Sequence, residues 1–303
     1  MDGLRQRVEQ TVRQVVRELL ASRPEALAAG TPPRGRRPLM AGNWKMNGGP
    51  DFARDYARRL DAGDGAVEVV LCPPAVLLPL LAAALGADSP VRLGAQNLHP
   101  EPGGAYTGEH AGAMLRQAGA AYVVVGHSER RALFGEDDAA VQRKVAAALG
   151  AELRPIVCVG EQLAEREAGA TFRVLRGQLT AALGGLGAPA PDPAAVVVAY
   201  EPVWAIGSGR TASAAQAQEA LAFVRERLAE LFSWPWAERV RLLYGGSASP
   251  DNAAQLAAEP DVDGFLVGGA GLDPAGFGRM IARTAQNAQT GRAAGAGRGM
   301  GGR

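Results

Sequence analysis

Only two of the 32 basic residues in this 303-residue chain are lysines, Lys45 and Lys144, and only three residues are histidines. Where arginine is the default cation, a retained lysine points to a use for a compact ammonium with three donors. Lys45 stands in GNWKMN, just past an apolar run, with Asn43 two residues before it, and His127 stands in GHSERR directly after YVVVG. Glu201 ends a third such run, AVVVAY, so its carboxylate is expected to be partly desolvated and its pKa raised toward a value useful for a base. Taken singly, each has an ordinary reading: a solvated lysine, a satisfied structural histidine, a glutamate paired with an arginine. Two glycine pairs, Gly245-Gly246 before Ser247 and Gly268-Gly269, follow the last two apolar runs. Without a Cβ, backbone N–H groups approach an anion closely, so the pairs and the Ser247 hydroxyl predict a phosphoryl site; two plain turns are the alternative. A carboxylate, an imidazole, an ammonium and an anion cradle together describe proton transfer beside the carbonyl of a small phosphorylated substrate. His99 and His110 lie in a Gly/Pro-rich stretch and read as loop residues, and no HExxH or clustered ligand spacing suggests a metal.

One architecture brings these groups to a common rim. Eight short apolar runs recur: PLMAGN from 38, VEVVLC from 67, VRLGAQ from 91, AYVVVG from 121, RPIVCVG from 154, VVVAYE from 196, VRLLYGG from 240 and DGFLVGG from 263. Their continuous apolar character suits strands buried on both faces of a parallel sheet. Helical stretches such as 139–150 and 214–231 lie between them. Eight βα units in about 250 residues predict an α/β fold, a parallel eight-stranded (β/α)8 barrel whose active site lies at the C-terminal strand ends. A doubly wound sheet is the competing arrangement, but the first strand leads into Asn43-Trp44-Lys45 with no GxGxxG and no Walker motif.

Composition bounds the rest. The chain is 47% hydrophobic and 21% charged, an ordinary globular balance, and has no uninterrupted apolar run of about 18 residues that would cross a membrane. The arginine-rich start lacks the apolar core of a signal peptide, so a cytoplasmic location is expected. Cys72 and Cys158 each sit in an apolar run and read as buried thiols, excluding a disulfide scaffold. The net charge of +1 argues against a nucleic-acid partner but hides an asymmetry. Residues 1–37 hold eight Arg and four acids, residues 288–303 hold three Arg and no acid, and the remaining 250 hold 21 basic and 27 acidic groups.

Residues 38 to about 287 resemble triosephosphate isomerase closely. The matching strings are GNWKMN, LGAQN, GAYTGE, VVVGHSERR, CVGE, AYEPVWAIGSGRTA, YGGS and LVGGA, in that order. The resemblance implies a TIM barrel that interconverts dihydroxyacetone phosphate and D-glyceraldehyde 3-phosphate without metal or cofactor. It implies Glu201 as the base, neutral His127 as the electrophile, and Lys45 with Asn43 as stabilisers of the enediolate. Glu129 resembles the acidic neighbour that positions Lys45, and Ser128 the partner of the base. Gly207, Ser247, Gly268 and Gly269 are the implied phosphate ligands, with 202–210 as a lid. Residues 96–109 resemble a loop that enters the partner's site in a homodimer, bringing Thr107 near the partner subunit's Lys45 and His127. Ser208 and Gly271 depart from the family pattern; Gly271 is expected to loosen the last turn slightly. An isomerase of a related four-carbon ketose phosphate and a catalytically secondary cargo or scaffold protein are the alternatives.

Residues 2–22 place Leu4, Val8, Val12, Val15, Val16, Leu19 and Leu20 at helical spacing, predicting an amphipathic helix followed by a Pro/Gly/Arg linker to 37. It resembles the encapsulation peptides that attach enzymes to bacterial microcompartment shells, which would make a shell protein its partner. A helix packed on its own subunit, or on the dimer, is another reading; a transit peptide fits poorly with Asp2, Glu9 and Glu18. The Gly/Arg tail from 288 has little to bury and is expected to be disordered.

Overall fold

Each apolar run becomes one strand of a closed, all-parallel barrel in the computed structural model, which describes residues 36–187, 189–206 and 211–297. The strands are β1 (Leu39–Asn43), β2 (Glu68–Cys72), β3 (Arg92–Ala95), β4 (Ala120–Val125), β5 (Arg154–Val159), β6 (Val197–Tyr200), β7 (Arg241–Tyr244) and β8 (Gly264–Val267), in sequence order around the barrel, with β8 pairing back onto β1. The first helices are α1 (Pro50–Arg59), α2 (Leu78–Leu85), α3 (Gly112–Gln117), α4 (Ser128–Phe134) and α5 (Asp138–Gly150). They are followed by α6 (Leu163–Glu167), α7 (Thr171–Leu183), α8 (Ala214–Leu231), α9 (Trp234–Ala237), α10 (Ala253–Ala257) and α11 (Pro274–Gly297).

Local chemistry sets several helix starts. Asp137 caps α5 by accepting from the Ala140 N–H at 2.7 Å. Ser213 and Gln216 close a reciprocal capping box at the start of α8. Alternation along the strands then divides the core. Leu39, Ala41, Val70, Tyr122, Ile156, Val197 and Leu243 fill the barrel, while Met40, Leu71, Val123, Val157 and Val198 pack outward against the helices. Cys158 joins the inner set and is a free buried thiol, as is Cys72, whose pKa burial pushes up to about 12.

Charged side chains close the far end of the barrel. Tyr122 donates to Glu68 at 2.8 Å and accepts from Arg241 and Arg154 at 2.9 and 3.0 Å. Just outside, Arg225 is fully buried and donates to Asp261 at 2.5 Å, to Asp263 at 2.9 Å and to two backbone carbonyls. Arg36 adds a second guanidinium, 2.7 Å from Asp263.

α11 runs on to Gly297, past residue 288, and the rest of the Gly/Arg tail lies outside the described residues. The first half of α11 is anchored by buried Phe277, Met280 and Ile281. The helix expected over 2–22, and the linker up to residue 35, lie outside the described residues, so the encapsulation reading finds no support here. Among the described residues, no helix is long and apolar enough to cross a membrane.

Candidate active site

The rim residues are set by the strands that precede them. Asn43 is the last residue of β1, and its Oδ1 accepts the Lys45 N–H at 2.9 Å. Lys45 itself sits at φ 51°, a left-handed conformation that a lysine seldom adopts without external support. Gln96 supplies it, donating from Nε2 to the Lys45 carbonyl at 2.7 Å and to the Cys72 carbonyl at 2.9 Å. The side chain is then held by Glu129, whose Oε1 lies 2.6 Å from Nζ.

His127 follows β4 by two residues and caps α4. Its Nδ1 accepts the Glu129 N–H at 3.3 Å, a bond that requires the Nδ1 lone pair and puts the proton of the neutral ring on Nε2. Nε2 faces Glu201 Oε1 at 3.0 Å, and Glu201 Oε2 accepts the Ser128 N–H at 2.9 Å. Glu201 is 2% exposed, so the expected desolvation is present. The expected rise in pKa is not. Burial pushes the carboxyl up, but His127, the Ser128 amide and Lys45 outweigh it and hold Glu201 below the ordinary carboxylate range. The sequence reading missed this because the stabilising partners stand far away along the chain. Conversely, burial pulls His127 down, while the carboxylates of Glu201 and Glu129 outweigh burial and Lys45 and leave it raised.

This coupling has a measurable sign. Glu201→Gln removes the largest charge that raises His127, so the imidazole titration followed by nitrogen-15 NMR is expected to move to lower pH. An unchanged or higher midpoint would show that the two groups do not interact as the geometry requires.

A cavity of about 580 Å³ opens beside these groups, lined also by Ile206, Leu266 and the two glycine pairs. A Cβ on Gly246 would lie 2.2 Å from the Tyr244 hydroxyl, and one on Gly268 would press against Lys45 Cε at 3.2 Å. Close packing therefore excludes a side chain at Gly246, whereas Gly268 has only the flexible end of Lys45 against it and Gly269 faces open space. Ser247 reaches the cavity, but its hydroxyl donates to the Ala205 carbonyl at 2.8 Å. Gly207 and Ser208 fall in 207–210, outside the described residues. Gly271 does not loosen its turn visibly: its N–H reaches the Gly268 carbonyl at 2.8 Å and its carbonyl accepts from Tyr56 at 2.7 Å.

Glu161 escaped attention as a functional candidate, although CVGE places it after β5 as AYE places Glu201 after β6. It is fully buried, and its Oε1 accepts from Trp204, Arg166 and Tyr200 at 2.9, 3.0 and 3.1 Å, pinning the turn that follows Glu201. Thr107 is not brought to this site. It stands exposed on its loop, which is braced by the His99–Tyr106 ring contact at 4.1 Å. A second cavity of about 320 Å³ lies on the other side of Lys45, lined by Met46, Gln96, His110, Arg130 and Phe134.

Residues 38–284 match the family model described as triosephosphate isomerase. Proteins named triosephosphate isomerase from Moorella thermoacetica and Chloroflexus aurantiacus are 50% and 52% identical over 249 residues, covering 81% of this chain and 98% of each relative. One from Halorhodospira halophila is 51% identical over 244 residues, 80% of this chain and 96% of the relative. With an eight-stranded barrel, a rim of Lys, His and Glu, and half the sequence in common with these relatives across their length, the chain belongs to the triosephosphate isomerase family.

Proposed function

We propose that this protein interconverts dihydroxyacetone phosphate and D-glyceraldehyde 3-phosphate through an enediolate. The observation that carries the reading is the contact of Glu201 with His127 at 3.0 Å, with Lys45 beside it, at the mouth of one glycine-walled cavity. Glu201 takes a proton from the carbon next to the carbonyl and returns it to the neighbouring carbon. The His127 Nε2–H polarises the carbonyl oxygen, and Lys45 with Asn43 bears the charge of the enediolate. Glu129 holds the ammonium in place.

The electrostatics change in the useful direction during this step. Leaving the Ser128 amide to reach the substrate costs Glu201 a hydrogen bond to its charged form, which raises its proton affinity. Once Glu201 is protonated, the larger of the two charges that raised His127 is gone. Burial and Lys45 then favour the neutral ring, the electrophile long known for this family. The phosphate is taken by the N–H groups of Gly268 and Gly269, and Ser247 joins by turning its hydroxyl away from Ala205; Gly207, outside the described residues, is the further donor that the family resemblance implies.

A homodimer goes with this reading. Met46 is 95% exposed and Phe134 66% exposed, and both border the second cavity, where this reading seats the Thr107 loop of a second copy. Exposed side chains of this size around a cleft mark an interface. Phe134→Asp is expected to weaken association by about 2 kcal/mol, roughly 30-fold, and to lower kcat/KM with it. Sedimentation velocity across a dilution series checks this; unaltered dimers with full activity would contradict it.

The activity is tested by a coupled assay of the three-carbon and four-carbon ketose phosphates on the wild type and on Glu201→Ala. Turnover of the triose phosphate, lost in the variant, is expected. Preference for the four-carbon sugar would overturn the substrate, and the absence of any turnover by the wild type would favour a scaffold role.

A further inference from the structure

An outer helix of a barrel ordinarily buries one side and leaves the other to water. α8 does not. Nine of its eighteen residues are buried, against four of thirteen in both α5 and α7, so a second side of α8 is covered. Ala217, Leu221, Val224 and Leu228 form the inward row. At 3.6 residues per turn, Ala222 and Glu226 point roughly the opposite way, yet they are only 1% and 7% exposed. Glu219 and Glu230 flank this strip and remain exposed.

The chain enters the fold next to this helix. Arg36 donates to Asp263, which also accepts from Arg225, the neighbour of Glu226. Thirty-five residues precede Arg36. Residues 2–22 would form a helix of about 31 Å, close to the length of α8, about 27 Å at the same rise. The 13 residues between them and Arg36 span up to about 45 Å when extended, ample to lay that helix along α8. Charge agrees: the segment carries Arg5, Arg7, Arg13 and Arg17 against Asp2, Glu9 and Glu18, and the outward side of α8 carries Glu219 and Glu226 beside Glu230, which already pairs with Arg176 and Arg227.

We infer that residues 2–22 dock on their own subunit, with the Val/Leu stripe over Ala222 and the arginines beside Glu219 and Glu226. The stripe is then occupied within the molecule and is not offered to another protein. This inference stands independently of the isomerase reading.

The test is thiol labelling of the full chain carrying Ala222→Cys, with Glu219→Cys as the exposed reference; the native cysteines are buried and add little background. The introduced thiol at 222 is expected to react with a maleimide about tenfold or more slowly than the reference. Adding Val12→Glu and Val16→Glu is expected to abolish that protection. Equal reactivity at 222 and 219 would overturn the inference, as would protection indifferent to the charges in the stripe. Protection that fades on dilution would also overturn it, by making a second copy the occupant. If Ala222→Cys fails to fold, Glu226→Cys reports on the same strip.

Discussion

Glu201→Gln is expected to lower kcat/KM for dihydroxyacetone phosphate by about a thousandfold, with the loss in kcat and little change in KM. The amide is nearly isosteric and still accepts from the Ser128 N–H, so the cavity keeps its shape. What disappears is a group able to take a proton. The same replacement leaves Lys45, Glu129 and the glycine cradle untouched, so substrate binding through the phosphate survives. A loss concentrated in KM would mean instead that Glu201 serves binding. Steady-state kinetics, with circular dichroism to confirm folding, separates the two results.

Arg225→Met is expected to destabilise the protein by about 3–5 kcal/mol, because it leaves buried carboxylates short of their partner. Asp261 keeps the Gln218 amide at 2.7 Å, whereas Asp263 retains Arg36 and the Leu242 N–H. The carbonyls of Ala237 and Val240 also lose the guanidinium, although that of Ala237 keeps the Val240 N–H at 3.3 Å. Arg36→Met is expected to cost less, since Asp263 then keeps both Arg225 and Leu242. For a barrel of this size the larger change lowers the melting temperature by roughly 10 °C. Urea denaturation of the full chain gives the comparison; equal stability of the Arg225 variant and the wild type would contradict the cluster's role.

Both expectations use features that differ in how far they can be read from sequence. The eight apolar runs became the eight strands because a buried parallel strand needs apolar residues on both faces, and almost nothing else in the chain has that pattern. Helices 139–150 and 214–231 were equally plain from their spacing. Glu201, His127 and Lys45 were found because the barrel puts whatever follows a strand on one rim. Arg225, by contrast, reads as a solvated residue in VRERL. Its burial depends on Asp261 and Asp263, some 36 to 38 residues later, and on an arginine near the start of the fold. The pKa of Glu201 was misjudged for a related reason. Burial is visible in AVVVAY, but the Ser128 amide, 73 residues away, is visible only once the chain is folded. Glu161 shows a third limit: a lone acid after an apolar run signals a site, but not whether it meets substrate or anchors a turn.

The central claim is that Glu201 moves a proton between two carbons of a triose phosphate. The most direct measurement is proton NMR of dihydroxyacetone phosphate incubated with the enzyme in deuterium oxide. Wild type is expected to yield product and remaining substrate carrying deuterium at the carbon beside the carbonyl, and Glu201→Gln is expected to yield neither at a comparable rate. Deuterium exchange that proceeds undiminished in Glu201→Gln would contradict the account.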